Sequence, residues 1–179
     1  MIFKIVSLFI IALIQYSICC ETFPNGTDTK LNWFNCPDSK LVIFNSVVTV
    51  DGNNNKEYPI KLKEPVYVNV NIDNNGNTFS SIRLDLELYQ WGGWQGCSWH
   101  QIPTFGLLSN LDACKHGVPC PIASGKNQNL KVTIDFTKFE SIISLLKNDA
   151  PYQLMFKLTD IPTGETSCTM VQARSFTNE

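Results

Sequence analysis

The side chains best suited to proton transfer near neutral pH are two histidines, His100 and His116, both beside cysteines and glycines. Neither stands in a recognisable catalytic pattern. No serine sits in a G-x-S-x-G elbow, no glycine-rich phosphate loop opens a helix, and H-E-x-x-H does not occur. Asp85 and Glu87 alternate onto one strand face, as paired acid–base carboxylates would, but on a solvated strand such acids serve solubility. Cys114, His116 and Cys120 lie within metal-ligand spacing, yet neighbouring cysteines in an exported chain more often pair with each other. The expectation is a protein that is not an enzyme, with no catalytic residue, no metal and no cofactor.

Another cluster speaks of binding. Trp91, Trp94 and Trp99 fall within nine residues of a glycine-rich stretch that follows a strand. A tryptophan ring suits the membrane interface, where its body is apolar and its N–H stays wet. Phe105, Leu107 and Leu108 follow without strand period. These six residues form the candidate membrane or ligand-mouth loop. The competing reading lets the same aromatics plug one end of the fold.

The elements that must position these groups begin after an export signal. Lys4, an apolar run from Ile5 to Ile14, and small residues before Glu21 have the layout of a signal peptide over residues 1–20. The run is too short to span a bilayer comfortably, since spanning takes roughly 20 residues. Residues 21–31 read as a polar lead-in carrying the acceptor Asn25-Gly26-Thr27 for N-glycosylation. The formal net charge of −2, with no basic cluster, argues against nucleic acid and against purely electrostatic membrane docking. The expected location is the secretory pathway, ending in the lysosomal lumen or outside the cell.

Strand signals dominate the remainder, which has the length of one domain. Val66, Val68, Val70 and Ile72 alternate with Tyr67, Asn69, Asn71 and Asp73, and Ile82, Leu84, Leu86 and Leu88 alternate with polar neighbours. Each is a strand with one wet face. Asn74-Asn75-Gly76-Asn77 between them carries hairpin-turn chemistry, so the two are expected to pair. Further strands are expected over 41–50, 58–63, 130–136, 152–158 and 166–175. Phe139, Ile142, Ile143 and Leu146 keep helical spacing instead, which fits one helical face or, equally, an irregular loop packed over the sheet edge. The fold class is all-β, an antiparallel sandwich.

Cleavage after Cys20 leaves Cys36, Cys97, Cys114, Cys120 and Cys168, an odd number whose pairing arithmetic alone leaves open. Cys97 is the candidate unpaired thiol, unless the cut falls before Cys20 and supplies a sixth cysteine.

Trp33-Phe34-Asn35-Cys36 resembles the W-x-N-C opening of ganglioside activators. The run from Cys114 to Cys120, followed by Pro121-Ile122, is similar to the C-x5-C-P-[IL] hallmark of the ML lipid-recognition family, and Cys168 completes the pattern. The resemblance covers residues 32–175. It implies an immunoglobulin-like sandwich splayed into a lipid-binding cup, with bridges Cys36–Cys168 and Cys114–Cys120. Val68, Val70, Leu84, Leu86, Leu88, Phe156 and Leu158 would then line the cavity. In a closed sandwich they would be ordinary core, because both ask for the same residues. The implied activity is extraction of a glycolipid or phospholipid from a membrane and its presentation to a hydrolase, such as a lysosomal glycosidase. The alternative is a sterol or fatty-acid carrier, or a lipid sensor. The chain has fewer cysteines than the ganglioside activators, so the extra bridges that brace their mid-chain loops cannot all exist here.

Overall fold

The computed structural model describes residues 20–93 and 96–178. The signal segment, except for Cys20, and Trp94 lie outside the described residues. Among the described residues ten strands form: β1 (Asn32–Asn35), β2 (Val42–Val50), β3 (Ile60–Lys61), β4 (Val66–Asn74), β5 (Ile82–Trp91), β6 (Trp99–Gln101), β7 (Leu111–Asp112), β8 (Gly125–Ile134), β9 (Ala150–Asp160) and β10 (Thr166–Phe176). They make two sheets. The larger runs β1-β10-β9-β5-β6, with β3 also on β10 and β7 also on β5; the smaller runs β2-β4-β8. Every pairing is antiparallel except the short contact of β3 with β10.

The alternating segments are strands, but β4 and β5 do not form a hairpin. β4 pairs with β2 and β8, whereas β5 pairs with β9, β6 and β7. The Asn-rich turn therefore carries the chain from one sheet to the other. Both strands have a continuous aliphatic face, and these faces bury more apolar surface opposed across the core than side by side. Asn74 anchors the crossover. Its buried amide donates to the carbonyls of Asn77, Ile122 and Ala123, and its oxygen accepts from Gly76 N–H. The polar face of the small sheet carries an asparagine ladder, Asn45 to Asn71 at 3.0 Å and Asn71 to Asn129 at 2.9 Å.

Asn35 splices the two sheets together. From β1 its side-chain amide both donates to and accepts from the backbone of Phe44 on β2, at 3.0 and 2.9 Å, copying the exchange between paired strands. Beside it Cys36 is bonded to Cys168 of β10, and Cys114 to Cys120 across a sequence separation of 6. A third bridge joins Cys20 to Cys97. This corrects the expectation of an unpaired Cys97: the chain start returns to the β5–β6 turn, and the two Cα atoms approach to 5.3 Å.

The lead-in is also less detached than its polarity suggests. Thr27 and Pro24 are fully buried, Asn25 Nδ2 donates to Gln172 of β10, and Phe23 lies under the Arg174 guanidinium. At the other end β10 runs to Phe176 and Thr177 is buried, so the packed body extends past both edges of the 32–175 span.

The core is uneven along the strands. Where β2 begins and β4 ends, Val42, Ile72, Phe79, Ile82, Ile122 and Leu158 are almost completely excluded from solvent. That end is packed solid.

Candidate functional site

Toward the other end the sheets enclose a hollow. The centre of a water molecule can range over about 100 Å³ of it. A water needs roughly 10–15 Å³ by that measure, so the space suits a ligand many times a water's size. The lining comes from every layer: Phe44 and Val47 of β2, Val68 and Val70 of β4, Val132 and Ile134 of β8, Leu154 and Phe156 of β9, and Val171 and Ala173 of β10. Thr49, Thr169 and Ser175 are its aliphatic hydroxyl-bearing residues. Two of these hydroxyls are already engaged, Thr49 donating to the Glu57 carbonyl at 2.6 Å and Thr169 to that of Phe34 at 3.2 Å. A wall of this kind offers water few hydrogen bonds and hydrocarbon many contacts.

The open end is covered by the segment after β8. Residues Phe136–Phe139 form a 3-10 turn and Glu140–Ile143 a single α-turn. The Asp135 side chain caps the first, accepting from Thr137 N–H at 3.1 Å. The helical spacing read in the sequence turns Ile142, Ile143 and Leu146 inward onto the hollow, while Leu145 stays exposed. On the same wall the Tyr152 hydroxyl donates to the Lys147 carbonyl at 2.9 Å, fastening the segment to β9. Burial, its main cause, pushes the Tyr152 phenol's pKa up.

Of the seven candidate wall residues, Val68, Val70, Leu88 and Phe156 line the hollow. Leu84 and Leu86 belong instead to the base of a neighbouring groove, and Leu158 to the solid core. The inward residues of the helical segment were visible as a pattern but not as cavity wall. Neither were Phe44, Val47, Val132 and Ile134, whose strand faces give the same signal as packed core.

Among the mouth-loop candidates, Leu108 reaches the hollow and is 2% exposed. Its carbonyl accepts from Leu86 N–H at 2.8 Å, which pins it to β5. Three residues earlier Phe105 is 87% exposed, held at φ +49°, and Leu107 is 50% exposed. Trp91 and Trp99 do not line the hollow. They face each other across β5–β6 with ring centroids 5.3 Å apart, and Trp91 Nε1 donates to the Glu21 carbonyl at 2.9 Å. The Cys20–Cys97 bridge holds the same corner.

The groups with chemical potential are dispersed. Asp85 pairs with Arg83 at 2.9 Å and accepts from Asn110 N–H at 2.7 Å, while Glu87 accepts from the Tyr89 hydroxyl. Burial and then Glu87 push that phenol's pKa up to about 12. His100 shares a hydrogen bond with the Ser98 hydroxyl at 3.0 Å. His116 Nδ1 bonds the Asp112 carbonyl at 2.8 Å, so in the neutral ring Nδ1 carries the proton. Among the described residues no three of His, Cys, Asp and Glu converge as metal ligands would.

No protein-family model matches this chain, and no curated protein matches it in sequence. Among the solved structures similar to it in shape are two of distant sequence. One is a crystal structure of a Niemann-Pick type C2 protein from Japanese carpenter ant, 14% identical, with a TM-score of 0.48 over 80% of this chain and 98% of that one. The other is the C-terminal domain of wzt, 6% identical, with a TM-score of 0.39 over 82% of this chain and 78% of that one. Both likenesses are distant, and neither carries a function or a family across to this chain.

Proposed function

We propose that this protein is a secreted lipid carrier that holds a hydrocarbon chain between its sheets and catalyses nothing. One observation carries the reading: the hollow is walled by aliphatic and aromatic side chains from both sheets and closed by an amphipathic segment rather than by packed core. Burying a chain there gains about 25 cal/mol per Å² removed from water. Phe105 and Leu107, next to the inward Leu108, are the groups that would enter a bilayer while the lipid crosses. Presentation of the bound lipid to a soluble hydrolase, in the manner of the ganglioside activators, is the extended form of this proposal.

Three disulfides suit an oxidising compartment, secreted or lysosomal. Glycosylation at Asn25 is compatible with the packing, because a linked Nδ2 keeps one N–H for Gln172.

The test is native mass spectrometry of protein secreted by cultured cells, followed by extraction of labelled phospholipid from vesicles. Protein carrying lipid, and a Val68→Phe variant that folds but extracts none, is the expected result. Protein that is empty and extracts no lipid refutes the proposal.

A further inference from the structure

A second hollow adjoins the first. It is a surface groove over which a water centre can range through about 240 Å³, and Ile134 and Phe139 line both spaces. Unlike the cavity, it sets charged side chains among its apolar ones. Lys115, His116 and Lys138 line it, and Lys131 Nζ stands 4.7 Å above the ring of Tyr67, another lining residue. The groove's own walls thus bring two ammonium groups and an imidazole together with one carboxylate, Asp135; Asp112 pairs with Lys115 from beside it, and Lys131 also has the Asp51 carboxylate near it.

The lysines are paired, but loosely. Lys115 meets Asp112 at 3.2 Å and Lys138 meets Asp135 at 3.7 Å, with the lysine side chains 81% and 59% exposed. Exposed pairs of this kind hold their partners weakly. Both carboxylates also have other donors. Asp112 accepts from Cys114 and Lys115 N–H at 3.1 and 3.4 Å, and Asp135 from Thr137 N–H and hydroxyl at 3.1 and 2.6 Å. The ammonium groups can therefore turn to another anion without stranding either acid. His116 stacks on Phe139 at 6.2 Å, which connects the charged groove to the shared wall.

We infer that this groove receives the anionic head group, carboxylate or phosphate, of a lipid whose chain passes Ile134 and Phe139 into the cavity. The inference rests on the lipid-carrier reading and adds to it a site and a charge preference. Gly117 sets the groove's floor. Its carbonyl accepts from Thr133 N–H at 3.0 Å, which locks the loop bearing Lys115 and His116 against β8.

Hexadecanoic acid, hexadecyl phosphate and hexadecanol share a chain and differ in their heads. Competition among them for the full secreted protein, read by native mass spectrometry at low ionic strength, measures the preference. One or both anions are expected to bind about tenfold or more tighter than the alcohol, as charge-assisted hydrogen bonds imply. Whichever anion is favoured identifies the head. In a K115Q/K138Q double variant with an unchanged melting temperature, the anion-to-alcohol ratio should fall toward one. Equal affinities in the native protein, or a preference that survives the double substitution, overturn the head-group site while leaving the carrier intact. Binding of none of the three overturns both.

Discussion

Cys20 is bonded to Cys97, and this bridge closes the corner where the chain start meets the β5–β6 turn. The two residues are separated by 77 positions, and Trp91, two residues into the same corner from Gly93, hydrogen-bonds the backbone of Glu21. A leader removed after Cys20 would take one half of this bridge with it.

If a leader is removed, the mature protein should therefore begin at or before Cys20. Ser17 and Cys19 are the small residues that place a cut just ahead of it. Intact-mass analysis should find Cys20 retained, and thiol titration of the unfolded, unreduced protein should find no free cysteine among the six. A chain starting at Glu21 with a reactive Cys97 would contradict this.

The uneven core makes the cost of a truncation depend on position. Ile72→Ala at the solid end should cost about 3–4 kcal/mol, since its 1% exposed side chain is enclosed on all sides. Leu154→Ala on the cavity wall should cost only about 1–2 kcal/mol, because that side chain already faces empty space. Urea unfolding of the two variants compares them directly. Equal losses would mean that the hollow is filled.

Gly117 has φ +86°, and a Cβ there would lie 1.7 Å from the Thr133 carbonyl oxygen. No side-chain rotation relieves a clash with backbone. Gly117→Ala should cost more than about 2 kcal/mol, combining left-handed strain with displacement of the loop from β8. Gly52→Ala, with open space around its Cβ, is the control and should change the melting temperature little.

Acid should weaken the fold through specific carboxylates. Hydrogen bonding from Arg174 holds the Asp149 pKa below its ordinary 3.8, and Thr137 and Lys138 do the same for Asp135. A carboxylate whose pKa is lowered by folding contributes stability that is present above its unfolded value. That contribution is lost as pH falls through 3.8 toward the lower folded value. Melting temperatures should thus hold steady in mildly acidic buffer and drop below that point. Asp149→Asn should shrink the drop. A stability curve that rises as the pH falls past 3.8 would overturn the assignment.

Strand identity was legible because its cause is local. Alternation from Val66 to Asp73 and from Ile82 to Leu88 sets which side chains share a face, whatever those faces later meet. The helical spacing from Phe139 to Leu146 was legible for the same reason. The bridges Cys36–Cys168 and Cys114–Cys120 were implied by resemblance and are present in the fold. Partnership is not local. β4 and β5, joined by a turn with hairpin chemistry, went to different sheets, because opposing their apolar faces buries more than pairing their edges. Cys97 found Cys20 only once the chain start had folded back. The hollow depended on tertiary structure most of all. Val68 and Ile72 belong to one valine–isoleucine row, yet one lines a cavity and the other is sealed in core. Both positions ask for the same side chain, and only the separation of the sheets at each point decides between them.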